Sequence, residues 1–114
     1  LLAIPYPQEV NDIPAIVARK DGGDAFARMI LDDFEERLRQ TRDGLPQVMG
    51  IALHPYIIGQ PHRLRHLRRA LAEIARERQR IWLTTAGAVF DHVAALPPGT
   101  VPGCPRVVPA KETA

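Results

Sequence analysis

Apolar residues recur at helical spacing in some stretches of this chain and in short runs in others, and together these predict six elements. Phe26, Ile30, Phe34 and Leu38 fall four residues apart, with Met29 and Leu31 beside them, while Asp32, Glu35, Glu36, Arg39 and Arg42 take the other side. That spacing is one apolar face of an amphipathic helix, placed against a sheet. Asp24 is its expected N-cap, and Gly44 and Pro46 its expected stop. Leu64, Leu67, Leu71, Ile74 and Ala75 mark a second helix over residues 63–80. Val89, Phe90 and Val93 mark a third over 86–96, with Thr84 or Thr85 as cap. Between the helices stand short apolar runs of strand length at 1–6, 48–53 and 81–85. The central run ends at His54, because Pro55 has no N–H to donate and restricts the residue before it.

The order is β-α-β-α-β-α, which implies an α/β fold with a parallel sheet and right-handed crossovers. Three parallel strands leave two edges open. The unit is therefore expected either to belong to a larger barrel or sheet, or to complete itself by association. The opening on apolar residues, with no initiator methionine, points the same way. His54 ends the central buried strand, and ligands of parallel sheets and barrels gather beyond that end. Glu9, Asn11 and Asp12 follow the first strand. Their polar side chains suit a turn, and a loop in that position is also a place for a site.

Composition narrows the classes. The chain has 114 residues, 46% hydrophobic and 25% charged, which fits a folded domain and leaves no room for two. Its apolar runs are too short for a membrane span, and no basic-then-apolar leader is present, so a cytoplasmic location is expected. Cys104 is the one cysteine and has no internal partner. Net charge is +2, yet seven arginines and two glutamates lie between residues 63 and 80. This helix is expected to be a solvated face, with anion or nucleic-acid binding as the weaker alternative, because no aromatic residues interleave the arginines for stacking. Asp32/Asp33 and Glu35/Glu36 read as surface charge with helical partners. His62 and His66 have a metal-compatible spacing but no third ligand nearby, so no metal site is assigned. Trp82 fits a pocket mouth or a sheet–helix interface equally. Five prolines between 97 and 109 set residues 97–114 apart as an extended tail, leaving 1–96 as the folded part.

Three stretches resemble the polysaccharide deacetylase superfamily, in its branch that contains cofactor-independent allantoinase. They are residues 4–12 (IPYPQEVND), residues 49–63 (MGIALHPYIIGQPHR), with a Leu-His motif continuing through Gly-x-Pro-x-Arg, and Ile81-Trp82 ahead of the last helix. The resemblance implies the last three βα units of a distorted TIM-like (β/α) barrel. It also implies hydrolysis of a non-peptide C–N amide bond in an N-acetylated sugar, a small ureide or a cyclic amide. By that resemblance His54 protonates the leaving nitrogen, Tyr6, Glu9, Asn11 and Asp12 line the substrate site, and Arg63 holds the turn or pairs with an acidic group; Trp82, at a pocket mouth, is counted with the substrate-binding residues. The family's Asp-Asp motif and metal-binding histidines have no counterpart here. The chain alone is thus expected to hold no cofactor and to be inactive, with a divalent metal in a full-length protein. The implied partners are a small-molecule or oligosaccharide substrate and a second copy of the chain. The alternatives are a non-catalytic self-associating module and, less favoured, binding of anions or nucleic acid by helix 63–80.

Overall fold

A computed structural model describes residues 2–103 of the chain. One compact unit is Pro5–Ile81, and residues 2–4 with 82–103 belong to a second. The expected boundary between 96 and 97 lies inside that second unit. Most of the proline-rich tail, with Cys104, lies outside the described residues.

The first unit is built on helices. A π-helical segment, Ile13–Ala18, is followed by α1 (Gly23–Arg42), α2 (Pro55–Ile58) and α3 (Pro61–Arg76). Helix α1 follows the predicted spacing closely. Phe26 and Ile30 are fully buried, Phe34 nearly so, and Leu38 packs against the same core. Gly22, not Asp24, is the N-cap; Asp24 sits in the first turn, where the Ala25 N–H and Arg28 hold its carboxyl below the usual range. The helix ends at Asp43, and Gly44 takes the left-handed conformation (φ +80°) common just past a helix end.

The expected β-α-β-α-β-α parallel unit is not what forms. Among the described residues there is no strand, only one isolated parallel bridge between Asn11 and Ala52. The apolar face of α1 covers α3 and the π-helical segment instead of a sheet. The reason is local. Pro5 and Pro7 fix φ at about −65°, away from strand values, so the first segment pairs poorly. The chain then bends over residues 8–10 and enters the π-helical segment right after Asp12. Only Val10 and Asp12 are left to pair, each with Ala52. A run of β-formers becomes a strand only where it finds a neighbour. Accordingly Val48 and Leu53 are exposed rather than buried, and only Ala52 of that run is fully covered. With no sheet, the reading of this stretch as part of a TIM-like barrel is also overturned.

Helix α3 starts at Pro61, whose ring suits the first helical position, and stops at Arg76 instead of continuing to 80. Its buried stripe is Leu67, Ala70 and Ile74, with Leu64 partly covered; Leu71, expected on that stripe, is exposed. The close crossing of α1 and α3 depends on Gly23. A Cβ placed there would lie 2.9 Å from the Arg63 Cα.

Residues 81–85, which run from the end of the first unit into the second, form no strand, and Trp82 and Leu83 are exposed. Helix α4 (Ala86–Ala94) begins where expected, and the Thr85 hydroxyl accepts the Ala88 N–H at 3.3 Å. Val89, Phe90 and Val93 are half-buried. Trp82 stands edge-on to His92, with ring centroids 5.6 Å apart.

Candidate active site

The bridge at Ala52 positions the site. Ala52 donates its N–H to the Val10 carbonyl at 3.0 Å and accepts the Asp12 N–H at 3.2 Å. This ties Asp12 on one segment beside His54, two residues beyond Ala52 on the other. The next residues fix Asp12 from its far side. The Asn11 side-chain oxygen accepts the Ile13 N–H at 3.0 Å, and the Asn11 carbonyl accepts the Ala15 N–H at 3.2 Å. Asn11 thus does the turn-forming work expected of its residue type.

Asp12 is fully buried, the only charged side chain so placed among the described residues. Burying a carboxylate is costly unless its oxygens are occupied. Both are taken by one residue: Oδ2 accepts the His54 backbone N–H at 2.7 Å, and Oδ1 lies 2.7 Å from His54 Nδ1. An ionised carboxylate can only accept, so the contact assigns the proton on this side of the ring to Nδ1. Nε2 is left as the ring nitrogen that can exchange a proton with a ligand. The imidazole remains 30% exposed, while its partner carboxylate has no exposure.

His54 is also the N-cap of α2, and its carbonyl accepts the Ile57 and Ile58 N–H groups. Pro55 occupies the first helical position, so the residue that was expected to end a strand starts a helical turn. Arg63 donates to the Ile57 carbonyl at 3.1 Å, which ties its side chain to this turn. Tyr56, two residues past His54, places its ring edge-on to the imidazole with centroids 5.9 Å apart.

The structure brings together two of the six residues singled out in the sequence, His54 and Asp12, with Asn11 as their support. Asp12 touches His54 where substrate contact was expected. Tyr6 and Glu9 are exposed on the segment ahead of Asp12 and make no hydrogen bond to the pair among the described residues. Gly50 lies beside Pro5 and Pro7, which sets Tyr6 level with a point four residues before His54, roughly 13 Å of extended chain away. Trp82 belongs to the other unit. Tyr56 lies within the 49–63 motif, where it is given no role of its own.

His66 shares its Nδ1 with the Arg69 guanidinium. No group of three or more His, Cys, Asp or Glu side chains is placed to hold a metal among the described residues. These residues therefore do not fit the metal centre of metal-dependent deacetylases. A cleft of about 320 Å³ between α1 and α3 is floored by Phe34 and Leu38 and rimmed by Arg39, Glu73, Glu77 and Arg80. Its lining does not include Asp12, His54 or Tyr56.

No family model matches the chain, and no solved structure matches it. The chain is similar to a Schizosaccharomyces pombe protein named "Putative polysaccharide deacetylase", with 33% identity over 99 residues. The match covers 86% of this chain and 31% of the yeast protein, so the chain spans about a third of its length.

Proposed function

We propose that this chain is part of a deacetylase-like hydrolase that cleaves non-peptide C–N amide bonds, with His54 as its acid–base group. The observation that carries the reading is the Asp12–His54 pair, a fully buried carboxylate bonded twice to a histidine whose ring stays partly open. Likeness to the yeast protein supports the superfamily level. The motifs at 4–12 and 49–63 support the finer placement near cofactor-independent allantoinase, on an N-acetylated sugar, a small ureide or a cyclic amide.

On this reading water adds to the amide carbonyl carbon and gives up a proton to a base outside this pair, and the C–N bond breaks. His54 enters the step as the imidazolium, with Nδ1–H on Asp12, and delivers its Nε2 proton to the departing nitrogen. Asp12 is a positioning residue: it holds the tautomer and the ring plane and does not itself touch substrate. Activation of the water needs groups beyond this pair, so the 114 residues on their own are expected to be inactive.

The test uses the polypeptide as its own organism makes it, assayed for acetate release from tri-N-acetylchitotriose and for ring opening of allantoin. His54→Ala is expected to lower kcat by about a hundredfold or more. Unchanged turnover in that variant would sink the reading.

A second reading rests on the exposed apolar side chains Val48 and Leu53, on a segment paired only at Ala52. It makes the chain a self-associating module. A single monomeric species across a wide concentration range in sedimentation velocity would remove it.

A further inference from the structure

Helix α3 carries positive charge that its surroundings do not answer. It holds five arginines and two histidines against one acid, Glu73. Buried Leu67, Ala70 and Ile74 fix which way the helix faces. At about 100° per residue, Arg65, Arg68, Arg69, Ala72 and Arg76 share the opposite side. All five are exposed. Arg63 lies off this side and donates to the Ile57 carbonyl.

The acids near this face are already engaged. Asp24 and Glu73 share a cleft with Arg69, but Arg28 holds the first at 3.2 Å and Arg76 the second at 3.0 Å. Arg19, Arg37, Arg39 and Arg80 also have carboxylate partners. Arg65 and Arg68 have none among the described residues, and Arg69 donates to the unprotonated Nδ1 of His66. Arg42 and Arg78 likewise lack a carboxylate but lie outside α3. No acid stands in the first turn of α3, the end where a helix dipole favours acids and opposes arginines. A face serving solubility alone would be better built with acids there.

The spacing points to a ligand class. An arginine fork bonds phosphate oxygens in pairs. The helix rises about 6 Å from Arg65 to Arg69 and about 16 Å from Arg65 to Arg76, too far for one phosphate and suited to a row of them. Helix α3 has no Phe, Tyr or Trp, so it offers no platform for the unstacked bases of a single strand. A duplex keeps its phosphates outside and needs no such platform.

We propose that the outer face of α3 binds the phosphate backbone of double-stranded nucleic acid without regard to sequence, through Arg65, Arg68 and Arg69, with Arg76 at the far end. This is independent of the role given to His54.

The experiment follows fluorescence anisotropy of a labelled DNA duplex of about 20 base pairs, titrated with the polypeptide as its organism makes it, from about 50 to 200 mM salt. Three phosphate contacts give a slope of log affinity on log salt of about −2.7, a fall of roughly fortyfold across that range. Arg65→Gln, Arg68→Gln and Arg69→Gln together are expected to weaken binding about tenfold or more at the lower salt and to flatten the slope. Lysine at the same three positions keeps the charge and should stay within about fivefold. Arg19→Gln, Arg39→Gln and Arg42→Gln together remove equal charge elsewhere and should stay within about twofold. Unfolding midpoints should match wild type in the α3 variants, since the three side chains are exposed. The proposal is overturned by wild-type binding weaker than about 100 μM at the lower salt. Equal losses in the glutamine variant and the Arg19/Arg39/Arg42 control overturn it too, as does a lysine variant as weak as the glutamine one, or binding to heparin with none to the duplex.

Discussion

Gly23 and Arg63 meet backbone to backbone where α1 crosses the start of α3. An added Cβ at 23 would lie 2.9 Å from the Arg63 Cα and 3.1 Å from its Cβ. The neighbour is main chain and cannot swing aside. Gly23→Ala should therefore destabilise the first unit by about 1–3 kcal/mol through overpacking, despite alanine's better helix propensity. Urea unfolding would show it as a lower midpoint with an unchanged slope. A midpoint equal to or above wild type would mean that the crossing is looser than described.

Asp12 offers a more discriminating substitution. In Asp12→Asn the amide oxygen still accepts the His54 N–H, but its NH₂ faces Nδ1 and drives the ring proton to Nε2. The nitrogen-15 shifts of the His54 ring at neutral pH should exchange their pattern between wild type and Asp12→Asn. Asp12→Ala instead leaves the His54 N–H without its partner and opens a void, a loss of about 2–4 kcal/mol. An unaltered ring pattern in Asp12→Asn would show that the carboxylate does not select the tautomer.

Glu36 supplies a pH dependence. Hydrogen bonds from Arg39 and then Gln40 bring its pKa from 4.5 down to about 2. A carboxylate depressed in the folded state adds stability above its unfolded pKa and loses it as pH falls through the folded one. The contribution should therefore fade between about pH 4.5 and 2. It should also be small and salt-sensitive, because the pair is exposed. Wild type is expected to lose more stability than Glu36→Gln across that window in low salt, with the gap closing in 1 M salt by about the Debye argument. Parallel acid limbs in low salt would remove the pair from the account.

Thr85 tests the second unit by itself. Thr85→Ala removes the acceptor of the Ala88 N–H, and α4 should lose about 1 kcal/mol. Amide exchange over the first turn of α4 should speed up accordingly. Unchanged exchange there would make the cap dispensable.

The helices were legible because their apolar periods are local facts. Phe26, Ile30 and Phe34 announce a buried stripe whatever covers it, and Thr85 announces a start. What covers the stripe is a non-local fact, and here a helix took the place expected of a sheet. The runs at 48–53 and 81–85 have strand composition, but pairing needs a partner of suitable shape. Pro5, Pro7 and the bend after them deny all but one bridge to the first. His54 stood out in the sequence because Pro55 isolates it at the end of an apolar run. Its bond to Asp12 joins positions 42 residues apart, and no periodicity encodes that. Ala70 replaced Leu71 on the buried stripe of α3 through a rotation of the helix that spacing alone does not set.

That separation of 42 residues has a kinetic consequence. The chain between Asp12 and His54 includes all of α1, and closing a loop of this length costs about 3 kcal/mol of chain entropy. The carboxylate–imidazole contact is thus expected to form late in folding, after α1 has packed. The His54 amide, whose only acceptor among the described residues is a buried side chain, should then trade its hydrogen for deuterium as slowly as the core of the unit. Slow exchange at His54 would make the assembled site a reporter of global opening.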